Sequence, residues 1–447
     1  MSRALVTDLY ELNMAASYLH REMDAPATFS LFVRDLPSNR GFLVSAGLEA
    51  CLEYLEEFHF DDDELAWLRT AGFPEGMIRQ FETVRFTGDV HAVPEGRIVL
   101  AKEPLLEVTA PIAEAQLVET YLLNQITYQS ALATKAARCR LAAGHIDLVD
   151  FALRRTHGTE AGMAVARVSA IAGFVGTSNV EAARRYGLTP AGTMAHSYVE
   201  AFGTEREAFL TFAQDLPGRT TFLVDTYDTL KGVDTAIDVV RELGLSEDVG
   251  VRLDSGDLVA LARDTRERLD AAGLSWVRIF ASGGLDEHDL ERFRLSGAPI
   301  DAVGVGTRMG VSDDAPFLDT AYKLVEFDFR PVMKLSTGKV SLPGAKQVWR
   351  SHPISSDLLT TRDEPGPAGA EPLLVPVVRG GKRISEPDTI DAARERLARD
   401  LDDLPQSALD LRRPTAPSVV VSDHLARLTE HTRRALTPTS DPPDQSL

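Results

Sequence analysis

Apolar residues recur at helical spacing over residues 7–22 (Leu9, Leu12, Ala16, Leu19), which predicts an amphipathic helix capped by Thr7 or Asp8. Tyr10 falls off that stripe and reads as a core-edge aromatic or a site residue. Residues 28–33 switch to alternation, with Phe29, Leu31 and Val33 on one face of a predicted strand. A helix is expected over 47–57. The run Asp61-Asp62-Asp63-Glu64 reads as a solvated helix start rather than a metal site. Short strands near 84–90, 98–100 and 105–108 lie between prolines and glycines, and one long helix is predicted over 112–143.

From Asp147 the rhythm changes to short apolar runs alternating with helical stretches, the pattern of βα units. The runs are 148–153, 172–175, 221–224, 250–253, 277–281 and 302–305. Their exits are Arg154-Arg155, Gly176-Thr177-Ser178-Asn179, Asp225-Thr226-Tyr227-Asp228, Asp254-Ser255-Gly256-Asp257, Ser282-Gly283-Gly284 and Gly306-Thr307. Polar residues and glycine collect at the end of nearly every run, the face on which an α/β barrel carries its active site. After residue 318 the alternation stops. Strands are predicted at 322–327, 332–335, 340–342 and 373–378, with a mobile loop at 363–371 and a disordered tail from about 437. The C-terminal strands are expected to return to the first module. The fold class is therefore α/β: an irregular TIM-like barrel at 131–330, plus a smaller α+β domain built from 1–130 and 331–447.

The chain has 447 residues and a formal net charge of -20, which excludes a nucleic-acid backbone as partner. A polyanionic small substrate then needs a local cluster of Arg, backbone N–H groups or metal. Cys51 and Cys139 belong to no CxxC pair and read as buried thiols in a reducing compartment. The N-terminus lacks a signal peptide's apolar core and no run has the length of a membrane span, so a cytoplasmic protein is expected.

His196 stands in Gly192-Thr193-Met194-Ala195-His196-Ser197, ahead of Ser197-Tyr198-Val199-Glu200, which reads as a capping box. A histidine at a helix entry faces free N–H groups that welcome an anion. The alternative is a histidine that merely fills the entry. The last two exits, Ser282-Gly283-Gly284 and Gly306-Thr307, suit a phosphate monoester. Arg252 can clamp a carboxylate or pair structurally with Asp254, and Asp254 can meet ribose hydroxyls or Mg²⁺. Asp225 and Asp228 suit Mg²⁺, hydroxyls or a helix cap. On a strand Arg154 and Arg155 would face opposite ways, and Arg154 is the choice for a pyrophosphate. Phe151 either shows its ring to the pocket or packs in the core. Ser178, three before Glu181, reads as an N-cap. Walker A, GxGxxG and Ser-His-Asp patterns are absent.

TDLYELNMA, EAQLVETYLLNQ, DFALRRTHG, GFVGTSN, GTMAHS, LVDTYDT, VRLDSGDL, SGGLDE, VGVGT and KLSTGKVSLPGAKQVWR, in this order, resemble the nicotinate phosphoribosyltransferases. The resemblance implies that nicotinate and 5-phosphoribosyl 1-diphosphate give nicotinate mononucleotide and diphosphate, the first step of NAD salvage from nicotinate. It also implies that ATP, as co-substrate, drives the step through phosphorylation of His196. Thr193 and Arg252 then hold the nicotinate carboxylate, and Phe151 and Tyr10 sandwich the ring, with Tyr10 crossing from the other subunit of a homodimer. Arg154, Asp225 and Asp254 grip ribose, diphosphate and Mg²⁺, while Ser282, Gly283, Gly284, Gly306 and Thr307 take the 5-phosphate. The alternative, a nicotinamide phosphoribosyltransferase, has an aspartate where this chain has Ser178. A catalytically silent regulatory relative would have lost His196 or a phosphate loop; neither is lost.

Overall fold

A computed structural model of the chain describes residues 3–218, 220–336 and 341–437, and the chain divides into two compact units. One consists of Leu132–Pro316, the other of Met1–Ala131 with Phe317–Leu447. The predicted barrel domain ran on to residue 330. Residues 317–330 belong instead to the other unit, because Thr320–Phe327 pairs antiparallel with Pro26–Val33.

The Leu132–Pro316 unit holds a six-stranded parallel sheet in the order Gly176–Thr177, Asp147–Asp150, Ala302–Val305, Arg278–Ala281, Val249–Leu253, Thr220–Leu223. This is an α/β barrel of the irregular TIM-like kind. Its registers set Leu223 beside Arg252, Leu253 beside Ala281, and Val305 beside Asp150. The strands therefore end on one edge, and their exits start from a common line. Five of the six strands are almost wholly buried, as expected where helices cover a parallel sheet, and in Arg278–Ala281 only Ile279 and Ala281 are buried.

Two expected strands moved. The run at 172–175 is the connector after the helix Thr159–Ile171, and the strand is Gly176–Thr177 itself. The first strand stops at Asp150, whose carboxylate accepts from the N–H of Ala152 at 2.9 Å and turns the chain into a 3-10 turn at Leu153–Arg155. Arg154 and Arg155 are consequently both exposed, not divided between two faces.

In the other unit a seven-stranded sheet mixes both ends of the chain: Arg330–Pro331, Thr320–Phe327, Pro26–Val33, Pro104–Pro111, Asp89–Ala92, Val375–Arg379, Lys382–Arg383. A four-stranded sheet is formed by Glu371–Pro372, Lys346–Arg350, Ser356–Thr361 and Ser418–Val421. The long predicted helix is two, Ile112–Leu117 and Glu119–Ala143, broken at Val118. No strand forms at 332–335; Asp328 and Phe329, both left-handed, turn the chain into the short strand Arg330–Pro331. Val340 and the tail from 438 lie outside the described residues. The loop at 363–371 is largely exposed but held at two points: a Cβ on Gly366 would lie 2.2 Å from the Trp349 ring, and Ser422 donates to Glu364 at 2.8 Å.

The first helix, Leu9–His20, has Asp8 as its N-cap residue and buries Leu12 and Ala16 of the predicted stripe, with Leu19 packed against the same core. Leu9 is 59% exposed, whereas Glu11 is buried and accepts from the hydroxyls of Thr7 and Thr120. Asp61 caps Asp62–Thr70 through a full capping box with Glu64.

A buried charge cluster joins distant segments of this unit. Arg350, wholly buried, donates to Asp357 at 3.1 Å, Asp400 at 3.3 Å and the carbonyl of Ile98 at 2.7 Å, and Arg97 donates to Asp400 at 2.8 Å. At its margin His352 sits between Asp403 at 2.5 Å and Glu371 at 2.8 Å. Burial works to lower the His352 pKa, but the two carboxylates win and raise it. A raised imidazole stabilises fully below its unfolded value of about 6.5 and loses that contribution as pH rises through the folded value. His352→Gln should therefore reduce the fall in melting temperature between pH 6 and 8.5, followed by thermal unfolding; an unchanged slope would remove His352 from that role.

Candidate active site

The site lies at the C-terminal edge of the parallel sheet, and Arg252 is its hub. Arg252 is the fourth residue of Val249–Leu253 and its side chain is 13% exposed. It donates through Nη2 to Asp254 Oδ1 at 2.6 Å, through Nε to Ser282 Oγ at 2.8 Å and through Nη1 to Thr193 Oγ1 at 3.0 Å. Its guanidinium also lies 5.5 Å from the centre of the Phe151 ring. One cation thus gathers residues from four separate segments. Phe151 is half-buried, beside Phe280 at 5.5 Å, and it needs Gly304 opposite, where a Cβ would come within 2.6 Å of the ring.

Asp254 accepts from Arg252 and, at 2.5 Å, from the Ser282 hydroxyl. Burial pushes its pKa up, but the Ser282 hydroxyl and Arg252, with a further contribution from His196, hold it below the usual carboxylate range. Asp225 accepts through Oδ2 from the N–H of Asp254 at 3.1 Å and the Ser255 hydroxyl at 2.6 Å, while its buried Oδ1 has no hydrogen-bond partner. Asp228 accepts from the N–H of Lys231 and so caps Thr229–Leu243.

His196 is half-buried, and its Nδ1 is 3.2 Å from the Thr226 hydroxyl. It is the first residue of a short helix, His196–Glu200, with Ala195 at the N-cap position and no side-chain cap. The expected capping box at Ser197 does not form, because Ser197 already lies inside the helix. Ser178 is not a cap either; Asn179 caps Val180–Tyr186 by accepting from the N–H of Ala182. The Ser178 N–H instead donates to the carbonyl of Asp150 at 2.8 Å, prolonging the ladder.

Gly283 and Gly284 both take left-handed backbone angles, with φ of 114° and 67°. A Cβ on Gly283 would lie 2.2 Å from the carbonyl of Asp254, so only glycine fits. Ser282 differs from its expected role: its N–H donates to the carbonyl of Leu253 at 2.9 Å and its hydroxyl to Asp254. That leaves the two glycines as the N–H donors of this turn. Gly306 and Thr307 begin the short helix Thr307–Gly310 directly after their strand. Tyr10 is in the other unit, 48% exposed on Leu9–His20.

Sequence reasoning passed over Glu205. Burial, then Asp228 and Asp225, raise its pKa to about 7, and its Oε1 is buried with no hydrogen-bond partner. It resembles an ordinary first-turn acid of the helix Glu205–Asp215, and no spacing rule links it to Asp225. Among the described residues no group of three or more His, Cys, Asp or Glu could hold a metal by itself.

Residues 5–127 match the nicotinate phosphoribosyltransferase N-terminal domain, 146–286 the nicotinate phosphoribosyltransferase family, and 361–429 the corresponding C-terminal domain. The chain is 48% identical over 436 residues to a nicotinate phosphoribosyltransferase of Mycobacterium tuberculosis, covering 95% of this chain and 94% of the relative. It is 41% identical over 378 residues to that of Bacillus subtilis, covering 81% and 77%. The crystal structure of human nicotinic acid phosphoribosyltransferase aligns with a TM-score of 0.84 at 28% identity, over 95% of this chain and 99% of that one.

Proposed function

The chain belongs to the nicotinate phosphoribosyltransferase family, and on that premise we propose that it joins nicotinate to 5-phosphoribosyl 1-diphosphate while ATP is hydrolysed through His196. The observation that supports this reading is the Arg252 hub, which sets a guanidinium, an aromatic ring and an aspartate around one point. Nicotinate offers a carboxylate for Arg252 and Thr193 and a flat ring for Phe151. Its ring nitrogen is a nucleophile already, so no general base is needed. The nitrogen forms a bond to C1 of the ribose as the bond from C1 to the diphosphate oxygen breaks. Asp254, held ionised, accepts from ribose hydroxyls, and Arg154 offsets charge on the departing diphosphate.

Asp225 fits a metal better than Asp254, since its Oδ1 has no partner and the Oδ1 of Asp254 has two. Among the described residues too few ligands come together for a closed cage, so Mg²⁺ held by Asp225 would take its remaining oxygens from substrate and water. Mg²⁺ bound there would neutralise diphosphate charge.

His196 supplies the coupling. Thr226 engages Nδ1 and orients the ring, leaving Nε2 to attack the γ-phosphorus of ATP with loss of ADP. Water then removes the phosphoryl group as phosphate. The product opens NAD salvage from nicotinate. We further propose a cytoplasmic homodimer in which Tyr10 of one subunit serves the site of the other. Among the described residues no helix is long and apolar enough to cross a membrane.

Nicotinamide is the competing base. Ser178 carries no charge to repel a carboxylate and lacks the acceptor an aspartate would give an amide. Steady-state assays should give a kcat/KM for nicotinate at least about a hundredfold above that for nicotinamide, since a charged hydrogen bond is worth ~1.5–3 kcal/mol and two donors, Arg252 and Thr193, face the carboxylate. Comparable values would refute the assignment of the base.

A further inference from the structure

The helix Glu119–Ala143 carries Lys135 and Arg138, 1% and 2% exposed, within the barrel unit. Lys135 Nζ is 2.6 Å from Glu287 Oε2, 2.8 Å from Asp314 Oδ1 and 3.0 Å from Asp313 Oδ1. Arg138 Nε donates to Glu287 Oε1 at 3.1 Å. Glu287 is wholly buried in the first turn of Glu287–Leu295, the helix that follows the Gly283-Gly284 turn. Asp313 and Asp314 close the segment that follows Gly306-Thr307. A second tie joins the same two segments: Arg308 Nη1 lies 2.5 Å from Asp286 Oδ2, and its Nε 3.9 Å from Asp313 Oδ2.

We infer that Lys135 is a positioning residue for the 5-phosphate of the sugar substrate, fixing the spacing of the two glycine turns by ion-pairing with the segment behind each. The inference rests on the reading of those turns as the 5-phosphate site. Two turns that share one phosphate must keep their N–H groups in register, and glycine is the residue least able to hold a conformation unaided. An ammonium offers three donors in three directions, and here three carboxylates from two segments converge on it. Burial works against its charge, but Glu287 and Asp314 outweigh burial and keep Lys135 protonated. A purely structural ion pair of this kind is often replaceable by apolar residues without loss of fold. A brace between two loops is not replaceable in that way, because its function is the distance between them.

The 5-phosphate is common to 5-phosphoribosyl 1-diphosphate and nicotinate mononucleotide and absent from nicotinate, so KM separates the cases. In Lys135→Met the KM for both phosphorylated substrates, forward and reverse, should rise about tenfold or more, and in Asp314→Asn severalfold, with the KM for nicotinate within about twofold of wild type. Should Lys135→Met not fold, Asp314→Asn, whose side chain is 23% exposed, decides by the same criterion. An unchanged KM for the phosphorylated substrates, or an equal rise for nicotinate, overturns the inference alone. Wild-type protein that turns over no 5-phosphoribosyl 1-diphosphate overturns the reading of the turns and the inference with it.

Discussion

Arg252→Ala should lower kcat/KM by at least about a hundredfold, with most of the loss in the KM for nicotinate. Losing a charged hydrogen bond to the nicotinate carboxylate costs ~1.5–3 kcal/mol, and Asp254 also loses the cation that helps to hold it ionised. Each ~1.4 kcal/mol is a factor of ten, so the lost carboxylate contact alone accounts for about one to two orders of magnitude. The deletion also frees Thr193 and Ser282, the other two hydroxyls that Arg252 holds. Arg252→Lys should recover little, because one ammonium cannot reach Asp254, Ser282 and Thr193 in the fork geometry of a guanidinium. Steady-state kinetics on both variants checks this. A variant Arg252→Ala with a near-normal KM for nicotinate would mean that the carboxylate binds elsewhere.

The barrel was legible because buried parallel strands read as short apolar runs and their exits as clusters of Asp, Ser and Gly. Four of the six strands lie within two residues of their runs at both ends. The run at 172–175 misled because an apolar connector after a helix looks like a strand, while the real strand, Gly176–Thr177, has too little side chain to show a pattern. Arg154 was misplaced for a local reason: Asp150 turns the chain eight residues before the first glycine, Gly158. At Ser178 and Ser197 the rule S-x-x-E pointed at residues one position away from the true N-cap or already inside the helix. The buried Glu11 could not be read from periodicity, since its partners Thr7 and Thr120 include one from another helix. Lys135 and Glu205 were illegible for the same reason. A lysine in a long helix and a glutamate in a first turn look solvated until residues far along the chain are brought to them.

His196→Ala should abolish the stimulation of nicotinate mononucleotide formation by ATP while leaving the fold intact. Among the described residues the side chain's one hydrogen bond is to the half-buried hydroxyl of Thr226, so little stability depends on it. The variant retains the Arg252 hub and both glycine turns, so nicotinate and the sugar substrate still bind. What it loses is the imidazole that the Thr226 hydroxyl engages at the edge of the site. A phosphoramidate is acid-labile and base-stable, which separates it from a phosphoester on Thr226 or Ser197. The most direct test is to incubate wild-type protein with γ-labelled ATP, quench in base and map the label by peptide. The expected result is acid-labile label on the peptide that contains His196 and none in His196→Ala. Label that persists in His196→Ala, or that maps to another peptide, would contradict it.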